Sequence, residues 1–388
     1  MRRIGAMCSS VTVPAAMLAL AAAAQAQVLQ SIQYIGQDLI PTGTQFQGTT
    51  LGGLSGIAYD PAGQRYFSIS DDRSQFNPAR WYTLNINLAG NQLQPGGVAF
   101  TGFTTLLNSG GQPFPAFSLD PEGIALSPTG DLWVASEGDV NANPQVNPFV
   151  NRFSPSGQQG QALSVPSKFL PTTGNLGIRN NLAFETLTLA PNGQSLFTAT
   201  ENALKQDGPA AALGVGSPSR ILRFDLQSNQ PAQEFVYETD PVVAAPNPPG
   251  SFVTNGLVEM LALDDTTFLA LERSFSTGVG NSIKLYEVSL TGATEVSSFE
   301  TLPGLYTPVQ KTLILDLGTL GITLDNVEGM AFGPTLGNGQ QSLILVADNN
   351  FSATQVTQFL AFGVTLVPTP GTLALLGLAG MIAARRRR

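Results

Sequence analysis

The 388-residue sequence predicts an all-β fold, a β-propeller of five or six four-stranded antiparallel blades. Three observations carry this. Between residues 27 and 366 the chain consists of short apolar runs bounded by Gly, Pro, Asn and Asp, with no extended helical periodicity. One hairpin-like segment recurs five times. The recurrences are 63 to 74 residues apart, which is room for four strands and generous loops.

The five segments begin at Gly52, Asp120, Ala183, Leu257 and Asn326. Each is an apolar strand, a turn rich in Pro, Gly or Asp, and a second apolar strand ending in an acidic or amide residue. Taking Ser55, Glu122, Glu185, Glu259 and Glu328 as equivalent, the spacings are 67, 63, 74 and 69 residues. Two further strand-like runs follow most hairpins, such as Arg80 to Leu88 with Gly97 to Leu106, and Arg220 to Leu226 with Gln233 to Glu238. The last unit, ending with Gln355 to Leu366, lacks a fourth strand, and the run Leu29 to Ile40 is expected to supply it and close the ring. Lys311 to Gly318 is an apolar run unassigned in the fourth unit and leaves room for a sixth blade. Short strands alone would equally suit a β-sandwich; the repeat separates the two.

The two ends read as targeting segments. Arg2 and Arg3, the apolar run Val11 to Ala24 and the Ala24-Gln25-Ala26 site form the three parts of a secretory signal peptide over residues 1–26, with cleavage expected after Ala26. At residues 367–388, Val367-Pro368-Thr369-Pro370 precedes an apolar stretch, Thr372 to Ala384, and the four arginines Arg385 to Arg388. Thirteen apolar residues fall short of the roughly 20 of an ordinary span. This layout resembles the PEP-CTERM sorting signal of Gram-negative bacteria, with Thr369 in place of the usual Glu. The resemblance implies processing by an exosortase-type enzyme, transient membrane association through the C-terminal segment, and a mature propeller of residues 27–366 in the periplasm, at the cell surface or outside the cell.

Composition excludes several chemistries. The chain has no histidine, and its one cysteine, Cys8, lies in the expected signal peptide. Ser-His-Asp and Cys-His catalysis, disulfides and zinc–thiolate sites are therefore ruled out, and no G-x-S-x-G motif occurs in the mature chain. Without the six terminal arginines, 12 basic residues stand against 27 acidic ones, a net charge of −15. Such a surface repels nucleic acid and favours cations.

The acidic residues follow the repeat. First strands carry Glu122, Glu185, Glu259 and Glu328, with Ser55 in the first repeat; second strands end in Asp71-Asp72, Glu137, Glu201, Glu272 and Asp348. In an antiparallel hairpin the start of one strand lies beside the end of the next, so both sets are expected at one mouth of the central channel. Crowded like charges need cations, protons or basic partners, and Arg73, Arg179, Lys205 and Arg273 are the candidate partners. An all-oxygen donor set suits Ca²⁺ or Mg²⁺. The alternative is that each acid merely bonds backbone amides at a strand end.

The ordered series Leu119-Asp120-Pro121-Glu122-Gly123, Ala199-Thr200-Glu201-Asn202, Ser219-Arg220-Ile221-Leu222, Asp325-Asn326-Val327-Glu328-Gly329 and Asp348-Asn349-Asn350-Phe351 resembles the family called esterase-like activity of phytase, from about Gly53 to Phe362. The resemblance implies a secreted propeller related in shape to calcium-dependent β-propeller phytases. In it Asp71, Glu122, Glu137, Glu185, Glu201, Glu259, Glu272, Glu328 and Asp348 would hold Ca²⁺ or Mg²⁺, and Arg73, Arg220 and Arg273 would contact anions. Only four lysines are present, Lys168, Lys205, Lys284 and Lys311, which argues against a hexaphosphate ligand. Two functions stay open: a cation-assisted phosphoester or carboxylester hydrolase, or a non-catalytic propeller that binds cations or polysaccharide at the cell surface or in the extracellular matrix. No one residue is singled out as catalytic.

Overall fold

The structure is a computed structural model that describes residues 27–368. The expected signal peptide and residues 369–388 of the expected sorting signal lie outside the described residues. The chain opens on β1 (Gln27–Pro41) and a small ribbon of β2 (Gln45–Phe46) and β3 (Thr49–Thr50), then builds blades in sequence. Blade 1 runs β4 (Leu54–Asp60), β5 (Arg65–Ser70), β6 (Arg80–Ile86), β7 (Val98–Thr105), from the axis outward. Blade 2 is β8 (Pro121–Leu126), β9 (Leu132–Ser136), β10 (Phe149–Phe153), β11 (Gln159–Ala162). Blade 3 is β12 (Thr188–Leu189), β13 (Ser195–Ala199), β14 (Pro218–Asp225), β15 (Gln230–Glu238). Blade 4 is β16 (Val253–Ala262), β17 (Thr267–Ser276), β18 (Gly280–Ser289), β19 (Gln310–Asp316). Blade 5 is β20 (Asn326–Thr335), β21 (Gln341–Asp348), β22 (Val356–Pro368), with β1 as its outermost strand.

There are thus five blades. The run that left room for a sixth is β19, the outer strand of blade 4, paired with β18 from Lys284–Asp316 to Ser289–Gln310. The N-terminal strand closes the ring as expected, in register with β22 from Gln27–Pro368 to Pro41–Val356. That pairing covers the edge of β22 and sets the two ends of the described chain side by side.

The turns follow from their residues. Between β4 and β5 the Asp60 carboxylate accepts the N–H groups of Ala62 and Gly63, a side-chain cap that reverses the chain. Between β8 and β9, Gly130 takes a φ of +88°, which side chains other than glycine rarely adopt. Each blade is buried on both faces, because five apolar clusters fill the five gaps between neighbours. Trp81, Ile69 and Phe67 meet Ile124, Val134 and Phe153 between blades 1 and 2, and Phe197, Ile221 and Tyr237 meet Met260, Phe268 and Tyr286 between blades 3 and 4. Strands buried on both faces lose the apolar/polar alternation of a one-sided sheet.

Candidate functional site

Four of the five inner hairpins, all but that of blade 3, carry a β-bulge at the same height. Register shifts fall between Leu54 and Gly56, Pro121 and Ile124, Leu257 and Glu259, and Val327 and Gly329. A bulge inserts a residue and re-aims its side chain. In blades 1, 2 and 5 the residues at the bulge are Ser55, Glu122 and Glu328, each followed by a glycine: Gly56, Gly123, Gly329. Those glycines mark the closest approach of adjacent inner strands. A Cβ on Gly56 would lie 2.6 Å from the Glu122 carbonyl oxygen, and one on Gly123 2.6 Å from Leu187 Cβ.

Above the bulges eight carboxyl groups converge: Asp71, Asp120, Glu122, Glu137, Glu185, Glu201, Glu328 and Asp348. Oxygens of Asp120, Glu122 and Glu137 lie within 4.8 Å of one another, and so do those of Glu137, Glu185 and Glu201. Seven of these eight were expected from the sequence. Asp120 was not named as a site residue, although it stands two positions before Glu122, where Asn326 precedes Glu328. Of the pair Asp71-Asp72, alternation along the strand end sends only Asp71 to the mouth; Asp72 turns inward to Arg80 at 2.7 Å and accepts three backbone N–H groups.

Two expected members are elsewhere, and register explains both. In blade 4, Gly256 pairs with Arg273 and Leu257 with Glu272, whereas in blade 5 Asn326 pairs with Asp348 and Val327 with Ala347. The equivalent of Asp348 is therefore Arg273, and Glu272 points to the opposite face. There Glu272 accepts from Tyr237, Asn255, Lys311 and the Asp240 N–H, in the seam between blades 3 and 4. Glu259 likewise sits one residue late, at the height of the glycines. Its carboxylate accepts the backbone N–H of Met260 and lies near the backbone of Leu187 in the third repeat and Met330 in blade 5, below the acidic mouth. The far end of the channel is an apolar hollow of about 380 Å³ lined by Ile57, Leu126, Leu189 and Leu261.

Arg273 supplies positive charge inside the cluster, 2.8 Å from Glu328 and 3.7 Å from Glu201. Burial alone would lower its pKa, but Glu328, Glu201 and Glu185 outweigh burial and hold it above the ordinary value. Arg73 lies at the rim, 2.6 Å from Asp139 and 3.5 Å from Asp120, with its guanidinium over the Phe117 ring. Arg220 is not part of the mouth. It is fully buried in blade 3, bonded to Asp207 and Glu234, with the Phe299 and Glu300 carbonyls taking its remaining donors, so it has nothing to offer an anion. Arg179 and Lys205 bond loop carbonyls of Ala203, Gly208 and Thr172.

Burial and mutual repulsion push the carboxyls up. Asp120 and Glu201 reach about 7, in both cases through burial first, with Arg73 and Arg273 respectively pulling back. Glu137 and Asp348 reach about 8, through burial and then Asp120 or Glu328. Asp71, Glu122 and Glu185 are also raised well above the ordinary carboxyl range, by burial first and then by their acidic neighbours. Glu185 is within hydrogen-bonding reach of both Glu137 and Glu201, a contact between carboxyls that needs a proton or a cation between the oxygens. Asp71 Oδ1 and Glu201 Oε1 are shut off from solvent and have no hydrogen-bond partner.

A cavity of about 520 Å³ opens on this mouth, lined by Glu201, Arg273 and Glu328 and walled by Phe252 and Phe275. Comparison with known proteins gives the fold and site a family: the model for phytase-like proteins, described as esterase-like activity of phytase, matches residues 49–351. The chain belongs to this phytase-like family. The matched span runs from β3 to the loop after β21 and takes in every carboxylate of the mouth. An uncharacterised secreted protein of the fungus Arthroderma benhamiae is 26% identical over 196 residues, which is 42% of this chain and 35% of that protein. The match thus spans about a third of that relative's length. Among solved structures, a hypothetical protein from Leishmania major (8% identity, TM-score 0.42, 87% of this chain and 92% of that one) and the periplasmic gluconolactonase of Pseudomonas aeruginosa (14% identity, TM-score 0.34, 88% and 100%) are similar. Likeness at that level says nothing about what this phytase-like chain does.

Proposed function

We propose that the acidic mouth is a divalent-cation centre, and that this phytase-like propeller uses it to hydrolyse a phosphoester or carboxylester outside the cytoplasm. The observation that carries the reading is the pair Asp71 Oδ1 and Glu201 Oε1, two buried acceptors without donors inside a cluster made only of oxygen ligands. A buried acceptor left unpaired costs roughly 1–3 kcal/mol, so two in one site call for a partner. Oxygens that share one Ca²⁺ at about 2.3–2.6 Å lie no more than about 5 Å apart. Both carboxylate triads meet that limit at 4.8 Å. Asp120, Glu122, Glu137, Glu185 and Glu201 would hold Ca²⁺ or Mg²⁺, with Asp71 and Asp348 completing the set on the blade 1 side.

A bound cation would polarise the ester oxygen and lower the pKa of a bound water. The chain's own residues supply the rest. Arg273 lines the cavity and would donate from its guanidinium to an oxygen of the ester. Glu328 and Asn326 fix Arg273 by a chain of hydrogen bonds, from the Asn326 amide to Glu328 Oε1 and from Arg273 to the same oxygen. Secretion is proposed from the signal-peptide layout of residues 1–26; among the described residues no helix is long and apolar enough to cross a membrane.

The test has two parts. Titration calorimetry with Ca²⁺ should show binding that disappears in the Glu122→Gln/Glu185→Gln double variant. Turnover of p-nitrophenyl acetate and p-nitrophenyl phosphate should depend on Ca²⁺ and on Arg273. Binding of Ca²⁺ with no turnover of any ester would leave a non-catalytic cation-binding propeller, and absence of Ca²⁺ binding would sink the centre altogether.

A further inference from the structure

Blade 4 rises above the mouth. Its inner strands β16 and β17 continue past the Gly256–Arg273 pair, which is level with the carboxylates, through three more pairs from Asn255–Ser274 to Val253–Ser276. In blades 1, 2 and 5 the inner strands begin at Leu54, Pro121 and Asn326, at the height of the carboxylates. The overshoot makes a wall on one side of the 520 Å³ cavity. Phe275 stands on it two residues beyond Arg273, hence on the same face of β17. The Phe252 ring lies against Phe275, with centroids 6.1 Å apart, and is 66% exposed. Asn281, paired with Phe275 across β17 and β18, also lines the cavity, and its Oδ1 is buried with no hydrogen-bond partner.

We infer that this wall is a subsite for a neutral, polyhydroxylated ring, the sugar unit of a carbohydrate. The inference rests on the mouth being a ligand site and names the class of ligand it takes. The wall itself, Phe252, Thr254, Phe275 and Asn281, carries no basic side chain, so away from the cation the further phosphates of a polyphosphate would find no counter-charge. A simple apolar acyl chain would cover the two phenylalanines but take water from the Asn281 amide and the Arg273 guanidinium without replacing its hydrogen bonds. A pyranose satisfies both demands. Its C–H face lies on Phe252 and Phe275, a hydroxyl accepts from the Asn281 amide Nδ2, and a ring or ester oxygen accepts from Arg273 Nη1. Sites that hydrogen-bond hydroxyls in this way discriminate strongly against analogues lacking them.

Saturation-transfer NMR on the protein with Ca²⁺, using the methyl glycosides of glucose, galactose and mannose and their trisaccharides, reads the contact directly. Ring C–H protons of at least one methyl glycoside should receive saturation. Affinity should fall about tenfold in Phe252→Ala and in Asn281→Ala, the loss of roughly 1.4 kcal/mol expected for one stacking or hydrogen-bonding contact. A trisaccharide that binds no tighter than its monosaccharide points to a single ring as the ligand; a tighter one points to a chain, and both support the subsite. No signal from any glycoside, affinity unchanged in both variants, or displacement by inositol hexakisphosphate overturns it. Ca²⁺ calorimetry on the same samples keeps the two readings apart. Cation heat without glycoside contact removes the sugar subsite alone, and glycoside contact without cation heat removes the cation centre alone.

Discussion

Arg273 decides the charge balance of the mouth, since among the described residues it is the one basic side chain bonded to the ring of carboxylates from within. Removing it as Arg273→Gln leaves Glu201 and Glu328 buried without a counter-charge. Breaking a buried pair in this way costs about 3–5 kcal/mol. Denaturant unfolding in chelator should show that loss, and saturating Ca²⁺ should recover part of it. The carboxyls themselves give a pH dependence whose direction is fixed. Asp120 and Glu201 are raised to about 7, and Glu137 and Asp348 to about 8, all above their values in the unfolded chain. A carboxyl with a raised folded pKa contributes most to stability while protonated in both states, below pH 4, and that contribution is lost as pH rises through the folded value. In chelator the melting temperature should therefore fall as pH rises from about 5, most steeply between about pH 5 and pH 7, and level off above about pH 8. Ca²⁺ should flatten the curve, because it takes the place of the protons. A melting temperature that climbs over this range in chelator would show that the carboxylates are already compensated.

At the level of the hairpin, the bulge and its glycine position the chemistry. Gly123 has no room for a side chain, with Leu187 Cβ, Leu187 N and the Thr186 carbonyl carbon all within 3.0 Å of where a Cβ would be. Gly123→Val should push β8 away from blade 3 and separate Glu122 from Glu185, costing about 1–3 kcal/mol as overpacking does. Reduced Ca²⁺ affinity alongside the fall in stability would tie the bulge to the site. This scale also shows what the sequence discloses. The hairpins, their turns and the acidic ends are legible because the same short pattern is written five times. The slip in blade 4 is not legible. Val258-Glu259 looks like Val327-Glu328 as text, yet Gly256 pairs with Arg273 where Asn326 pairs with Asp348, and a one-residue shift sends Glu259 and Glu272 out of the ring and Arg273 into it. Arg220 was misplaced for a related reason: a residue's position on β14 does not reveal that Asp207 and Glu234 will bury it. Asp120 is not legible as a site residue in the repeat, because its equivalents are Gly53, Ala183, Gly256 and Asn326, which share no charge.

At the scale of the whole molecule, the ring is one closed sheet stack whose closure rests on β1. The strand pairs with β22 along its whole length and is pinned to blade 1 as well, where Asp38 accepts the N–H groups of Gly96 and Val98 and the Ile35 carbonyl accepts from Leu93. A chain lacking residues 27–41 keeps five inner hairpins and the whole acidic mouth, but it exposes the edge of β22, a strand of thirteen residues that is largely apolar. An edge of that length without charge or proline in its middle is a template for pairing with another chain. Light scattering on the truncated protein should show concentration-dependent association where the intact propeller is monodisperse. Thermal unfolding should lose its cooperativity, since blade 5 no longer locks against blade 1. Ca²⁺ binding should persist in whatever monomer remains, because the ligands come from inner strands and β1 touches none of them. A truncated chain that stays monomeric and melts like the intact one would mean that closure by β1 contributes little, and that the inter-blade clusters alone hold the ring.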